Sequence, residues 1–362
     1  MKVLTTTNSF TRTAALLVAV TLALLSGCAT TPKTGPKAYT FFPAAPDEPR
    51  VQFLASFSSD IDLGKTGSFA DFVTGTSTGP KALVKPYGLA LKDGKLYVCD
   101  TMSSSIEVFD LVKKRARYFT PRAEGRLNTP INITIDSDGT RYVTDTGRGQ
   151  VVIYSKDDTY LSAMGAKDEK KPTDVAITAD RLYVTDLNGH CVRVFSKADR
   201  KFLFRIPRDP KASEGRLFSP TNLALDDQGR LLVADTGAFV VQVYDQEGKY
   251  LRSIGQQGVA PGLFARPKGV AVDREGRAYV ADAATQVVQI FDTEGRLLLY
   301  FGAPGASSQG ELYMPAAVKI DYDNTKLFQN FVAPGYDLDY VILVTSQFGY
   351  NKISAYGFLK KK

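Results

Sequence analysis

Asn132, Asp174 and Asn222 each stand two residues after a proline, in Pro-Ile-Asn, Pro-Thr-Asp and Pro-Thr-Asn. Carboxylate and amide oxygens arriving from equivalent positions are the hard donors that calcium takes. The competing reading is that they bond to backbone groups where strands begin. One position earlier, six copies of the same motif carry Tyr87, Ile131, Thr173, Thr221, Lys268 and Ala316. Of these, Tyr87 and Lys268 offer a phenol and an ammonium to a small polar ligand. A further set, Asp100, Asp145, Asp186, Asp235 and Asp282, follows five of the prolines. A ring of five carboxylates suggests catalysis, yet each aspartate also suits a turn in which its side chain accepts backbone hydrogen bonds. Recurrence in five of the six copies favours the turn, because a catalytic site is asymmetric. Histidine-based zinc chemistry fails on numbers, since His190 is the single histidine and zinc takes at least three protein ligands. His190 lies in an Asn188-Gly189-His190 turn and reads as a solvated loop residue.

The elements that would hold these groups repeat. Pro86, Pro130, Pro172, Pro220, Pro267 and Pro315 mark a period of roughly 45 residues, within the range of stacked supersecondary units. Each proline precedes an alternating segment such as Tyr-Gly-Leu-Ala-Leu (87–91) or Lys-Gly-Val-Ala-Val (268–272), then a turn such as Asp136-Ser137-Asp138-Gly139. A second strand closes on the aspartate, a third ends in an aromatic (Phe109, Tyr154, Phe195, Tyr244, Phe291), and a fourth leads to the next proline. Period-two alternation and tight turns predict strands. The expectation is an all-β, six-bladed propeller with four antiparallel strands in each blade.

These motifs resemble the NHL-repeat family of six-bladed propellers, over roughly residues 81–357. The shared signature includes a linker glycine five residues before the proline (Gly125, Gly215, Gly262, Gly310) with Leu or Phe two residues later. The sixth copy departs, with Ser346 where aspartate is expected and an insertion between its first and second strands. The resemblance implies that enzymatic relatives ligate metals at the channel mouth, amidating lyases through histidines and gluconolactonase or arylesterase relatives through Asn, Asp and Glu. This chain has no histidine there. The calcium set Asn132, Asp174 and Asn222 is displaced by one position from that implied by the relatives, so the resemblance carries no cofactor over. Asp321-Tyr322-Asp323-Asn324-Thr325 lacks the glycine and glutamate of a calcium loop and aligns with the hairpin turns.

The ends have separate roles. Lys2 and Arg12, the apolar run Ala14–Leu25 and Leu25-Ser26-Gly27-Cys28 read as a signal segment over 1–27. It resembles a bacterial lipoprotein signal, which implies lipidation of Cys28 and, with Ala29 following, sorting to the outer membrane. Residues 28–50 read as an extended tether and 51–362 as the propeller. The sixth blade lacks a fourth strand of its own, and Val51–Phe57 is expected to supply it, removing the open edges of the ring. Cys99 and Cys191 sit in different blades and read as small buried residues.

A net charge of +7 spread along the chain gives no nucleic-acid signature. The blade-six insertion carries Phe328, Phe331, Tyr336 and Tyr340 and should emerge opposite the prolines, where aromatics on a rigid scaffold anchor partners. The sequence thus predicts a monomeric, lipid-anchored envelope propeller that binds an envelope or extracellular protein without cofactor or catalysis. A calcium-dependent lactonase or esterase using Asn132, Asp174 and Asn222 is the alternative.

Overall fold

The computed structural model describes residues 38–63, 82–165 and 171–362. The expected signal segment, Cys28 and the start of the tether lie outside the described residues. Each of the first five repeats becomes one four-stranded antiparallel sheet. In blade two the strands Pro130–Ile135, Arg141–Asp145, Gln150–Tyr154 and Tyr160–Met164 bond in that order. Blades one, three, four and five follow the same plan from Pro86, Pro172, Pro220 and Pro267. The first strands are innermost: each touches the first strand on either side, and the sixth touches the first. Six blades therefore surround one channel, as the repeat predicts.

Close approach at the axis needs small residues. A Cβ on Gly88 would fall 2.0 Å from Asn132 Oδ1 and 2.5 Å from its Cα, and one on Gly269 would fall 2.7 Å from Ala317 Cα. Farther out, blades bury apolar faces on each other. Tyr97, Cys99, Ile106, Val108 and Phe119 of blade one, for example, meet Ile133, Val143, Val152 and Tyr154 of blade two. Each such fully buried aliphatic side chain contributes about 1.5–3 kcal/mol. Cys99 and Cys191 are buried free thiols, and burial pushes both thiols up, which makes them poor nucleophiles.

The third-strand aromatic and the linker glycine are two ends of one contact. Tyr244 Oη donates to Gly215 O at 2.5 Å and Tyr356 Oη to Gly310 O at 3.1 Å, and Tyr154 makes the same bond to Gly125 O. The phenol fills the core while its hydroxyl satisfies a loop carbonyl.

Blade six closes the ring as expected. Pro315–Asp321, Tyr336–Ser346 and Ile353–Lys361 are joined by Val51–Phe57, with Val51 opposite Phe358 and Phe57 opposite Ile353. The sheet then extends further than the sequence suggests. Phe41–Phe42 pairs with Val51–Gln52 as a fifth strand, and the Phe42 ring lies 6.2 Å from Phe301 and 6.1 Å from Tyr356. The tether boundary at residue 50 is thus corrected toward the N-terminus. Two adjacent aromatics gain more from an open sheet edge and an apolar core than from water.

Candidate functional site

The aspartates are latches. Asp100, fully buried, accepts from the N–H groups of Val84 and Lys85 at 2.6 and 3.0 Å, and from Met102 and Ser103 at 3.0 and 3.2 Å. Asp235 accepts from Phe218, Ser219 and Ala238, and Asp282 from Ala265, Arg266, Ala284 and Thr285. Asp145 and Asp186 do the same in blades two and three. Each ties the segment before its proline to the turn after its second strand. In blade six Ser346 replaces the carboxylate and accepts from Tyr313 N at 3.2 Å.

Asp174 clamps blade three to blade four. Its Oδ1 accepts from Val175 N at 2.8 Å, while its Oδ2 accepts from Leu223 N at 3.0 Å and Asn222 Nδ2 at 3.3 Å. Asn132 Oδ1 accepts from Ile133 N at 2.9 Å, leaving its buried Nδ2 as an unpartnered donor. Asp174 is therefore saturated by protein donors, Asn222 donates to it and keeps one buried Oδ1 with no partner among the described residues, and Asn132 is left with an unpartnered donor rather than an acceptor. Among the described residues no three His, Cys, Asp or Glu side chains cluster as a metal group. Burial raises the Asp174 carboxyl, offset by Lys319 and by its hydrogen bonds.

Tyr87 and Lys268 do come together. Blade six lies between their blades, yet Lys268 Nζ stands 5.1 Å from the centre of the Tyr87 ring. Burial, then Arg266 and Lys85, pulls the ammonium down to about 8. Burial, reinforced by Asp174, raises the Tyr87 phenol well above its ordinary value.

The aromatic insertion does not form the exposed anchor expected of it. Phe328 is 1% exposed and packs against Leu54 and Phe57, and Tyr340 is fully buried. The second strand of blade six is long enough for Tyr340 to pair with Phe358, stacking on it at 4.8 Å. Its hydroxyl meets Tyr279 Oη, Asp273 Oδ2 and an Arg277 nitrogen at 2.5, 3.1 and 3.0 Å. Gln52 holds the loop down by donating to Phe331 O at 2.8 Å and accepting from Ala333 N at 3.0 Å. Phe331 is partly exposed, and Tyr336 is half-buried 6.2 Å from Phe41. The insertion does emerge opposite the prolines, as strand order requires. His190 is exposed, with its Nδ1 against Phe218 O.

The exposed aromatic surface is on the other face. At the junction of blades six and one, Tyr350 is 78% exposed, Met102 66% and Val84 53%, with Phe348 and Tyr313 beside them. Short distances tie several of these groups together. Tyr313 and Phe348 rings lie 6.1 Å apart, Lys85 Nζ stands 5.4 Å over Phe348, and Lys352 Nζ donates to Val84 O at 2.8 Å. The sequence signal was the Phe348-Gly349-Tyr350 turn after Ser346, where the latch motif lapses.

Comparison with known proteins agrees with this architecture. Residues 170–195 match the NHL repeat, and 213–298 match a family of 6-bladed beta-propellers. A Bacteroides thetaiotaomicron protein of unknown function superposes with TM-score 0.60 at 17% identity, covering 86% of this chain and 76% of that one. A Xanthomonas campestris gluconolactonase gives 0.55 at 14%, covering 77% and 87%. Virginiamycin B lyase from Staphylococcus aureus gives 0.52 at 14%, covering 75% and 80%. Likeness at these identities concerns the fold. No curated protein matches the chain.

Proposed function

We propose that this propeller works by binding, held to the cell envelope through a lipid on Cys28, and that its recognition surface is the proline face at the junction of blades six and one. The observation that carries the reading is the exposure of Tyr350, Met102, Val84, Phe348 and Tyr313 at one blade junction, with Lys85 over Phe348 and Lys352 against Val84. Contiguous apolar surface on a rigid scaffold marks an interaction site, and aromatic side chains supply most of the energy at protein interfaces. Lys85 over Phe348 and Lys352 beside Val84 favour an acidic partner. The partner is an envelope or extracellular protein, and the outer membrane is the location implied by Ala29 after Cys28. Hydrolysis of the lactonase kind is the competing activity, and the engagement of Asp174 by Val175, Leu223 and Asn222 gives it no support.

Crosslinked capture from envelope extract with the full-length lipidated protein tests this. A Met102→Asp/Tyr350→Asp variant is expected to lose a specific partner that Phe331→Asp, on the opposite face, retains. Loss in Phe331→Asp alone would move the surface back to the insertion. Stoichiometric calcium with hydrolysis that disappears in Asp174→Ala would replace binding by catalysis.

A further inference from the structure

Lys268 is only 8% exposed, and among the described residues no carboxylate forms an ion pair with it. The charges that act on it most are Arg266 and Lys85, both of its own sign. Burying an ammonium without a counterion costs several kcal/mol, and a face-on Tyr87 ring returns about 0.5–2 kcal/mol. Nothing in the blade requires this lysine, since the equivalent positions hold Ile131, Thr173, Thr221 and Ala316.

The lysine spans the inner strand of blade six because that strand is small there, with Ala316 and Ala317 both buried. The result is a convergent arrangement at the channel mouth. Lys268 Nζ meets Tyr87 over the inner strand of blade six at 5.1 Å, and Lys85 and Arg266 precede the prolines of the same two blades. Asp174 is the carboxylate that acts on Tyr87, and its oxygens are held by Val175, Leu223 and Asn222.

We infer that the proline-side mouth of the channel is a binding site for a small oxyanion, a carboxylate or phosphate, which supplies the negative charge that Lys268 lacks in the protein. The ammonium donates to the anion, the Tyr87 hydroxyl orients it, and Lys85 and Arg266 draw it in. The site shares Lys85 with the partner surface beside it, and its test rests on Lys268, which that surface does not use.

Calorimetric titration of the purified full-length protein with inorganic phosphate and with benzoate, at fixed ionic strength in chloride, decides the matter. The wild type is expected to bind at least one probe saturably at one per chain. Lys268→Met should weaken that binding by at least about tenfold, the worth of one charge-assisted hydrogen bond, while Lys268→Arg should retain it. Phosphate binding without benzoate, or the reverse, identifies the class of oxyanion. Failure of both probes to saturate overturns the inference, as does equal binding by wild type and Lys268→Met. Removal of a buried charge should raise the melting temperature of Lys268→Met, so loss of binding would not reflect loss of fold.

Discussion

Blade five and blade six are built from the same repeat and differ at the proline end. In blade five Asp282 gathers four backbone N–H groups from the pre-proline segment and the following turn. In blade six Ser346 accepts from Tyr313, and the turn after it carries Phe348 and Tyr350 into solvent. A carboxylate with four lone-pair sites organises two segments at once, whereas a hydroxyl serves one. The blade that departs from the repeat pattern is thus the one that presents unusual surface, and regularity elsewhere makes that surface rigid.

The most severe way to break the comparison is at the ring closure. Deleting residues 51–57 removes the strand that pairs with Ile353–Lys361, and no cooperative unfolding transition is expected by calorimetry. An intact transition would mean that blade six stands without its N-terminal strand. Next, Asp282→Ala should cost about 4 kcal/mol, because buried N–H groups lose a charged acceptor, while Ser346→Ala should cost about 1 kcal/mol. Equal costs in urea denaturation would erase the distinction between the two blades.

Lys268→Met probes the thin inner strand of blade six from the other side. The ordinary lysine value of 10.5 falls to about 8 in the fold, so the unfolded chain holds a proton that the folded one releases between these values. Stability therefore rises with pH through that window, and the penalty is fully present below about 8. At pH 7 the variant should gain on the order of 3 kcal/mol, a gain that vanishes above 10.5. A pH-independent difference would mean that the ammonium is already compensated. The smallest effect sharpens the comparison: Ser346→Asp should restore a latch to blade six and add about 1 kcal/mol, with reduced hydrogen exchange at Tyr313. A destabilised variant would show that blade six has no N–H groups left to gather.

The latches were legible because each acts inside one repeat. Proline, aspartate and third-strand aromatic recur at fixed offsets, and every contact they make is local to that period, as Tyr244 with Gly215 illustrates. The insertion misled because aromatic residues in an excursion look the same whether they face water or a neighbouring blade. Tyr340 is buried by Tyr279 and Asp273 of blade five, and Phe328 by Leu54 and Phe57 of the N-terminal strand. Neither neighbour is near in sequence. Phe41–Phe42 was missed for the same reason, since a two-residue strand has no period to detect.

By itself, the chain determined the number of blades, the strand that closes them and the structural duty of its aspartates, because these follow from alternation and spacing that repeat often enough to be read. Tertiary structure decided which aromatics meet solvent and brought Lys268 of blade five over Tyr87 of blade one. Both depend on distances across the ring, and spacing along a chain carries no information about those until the ring is closed.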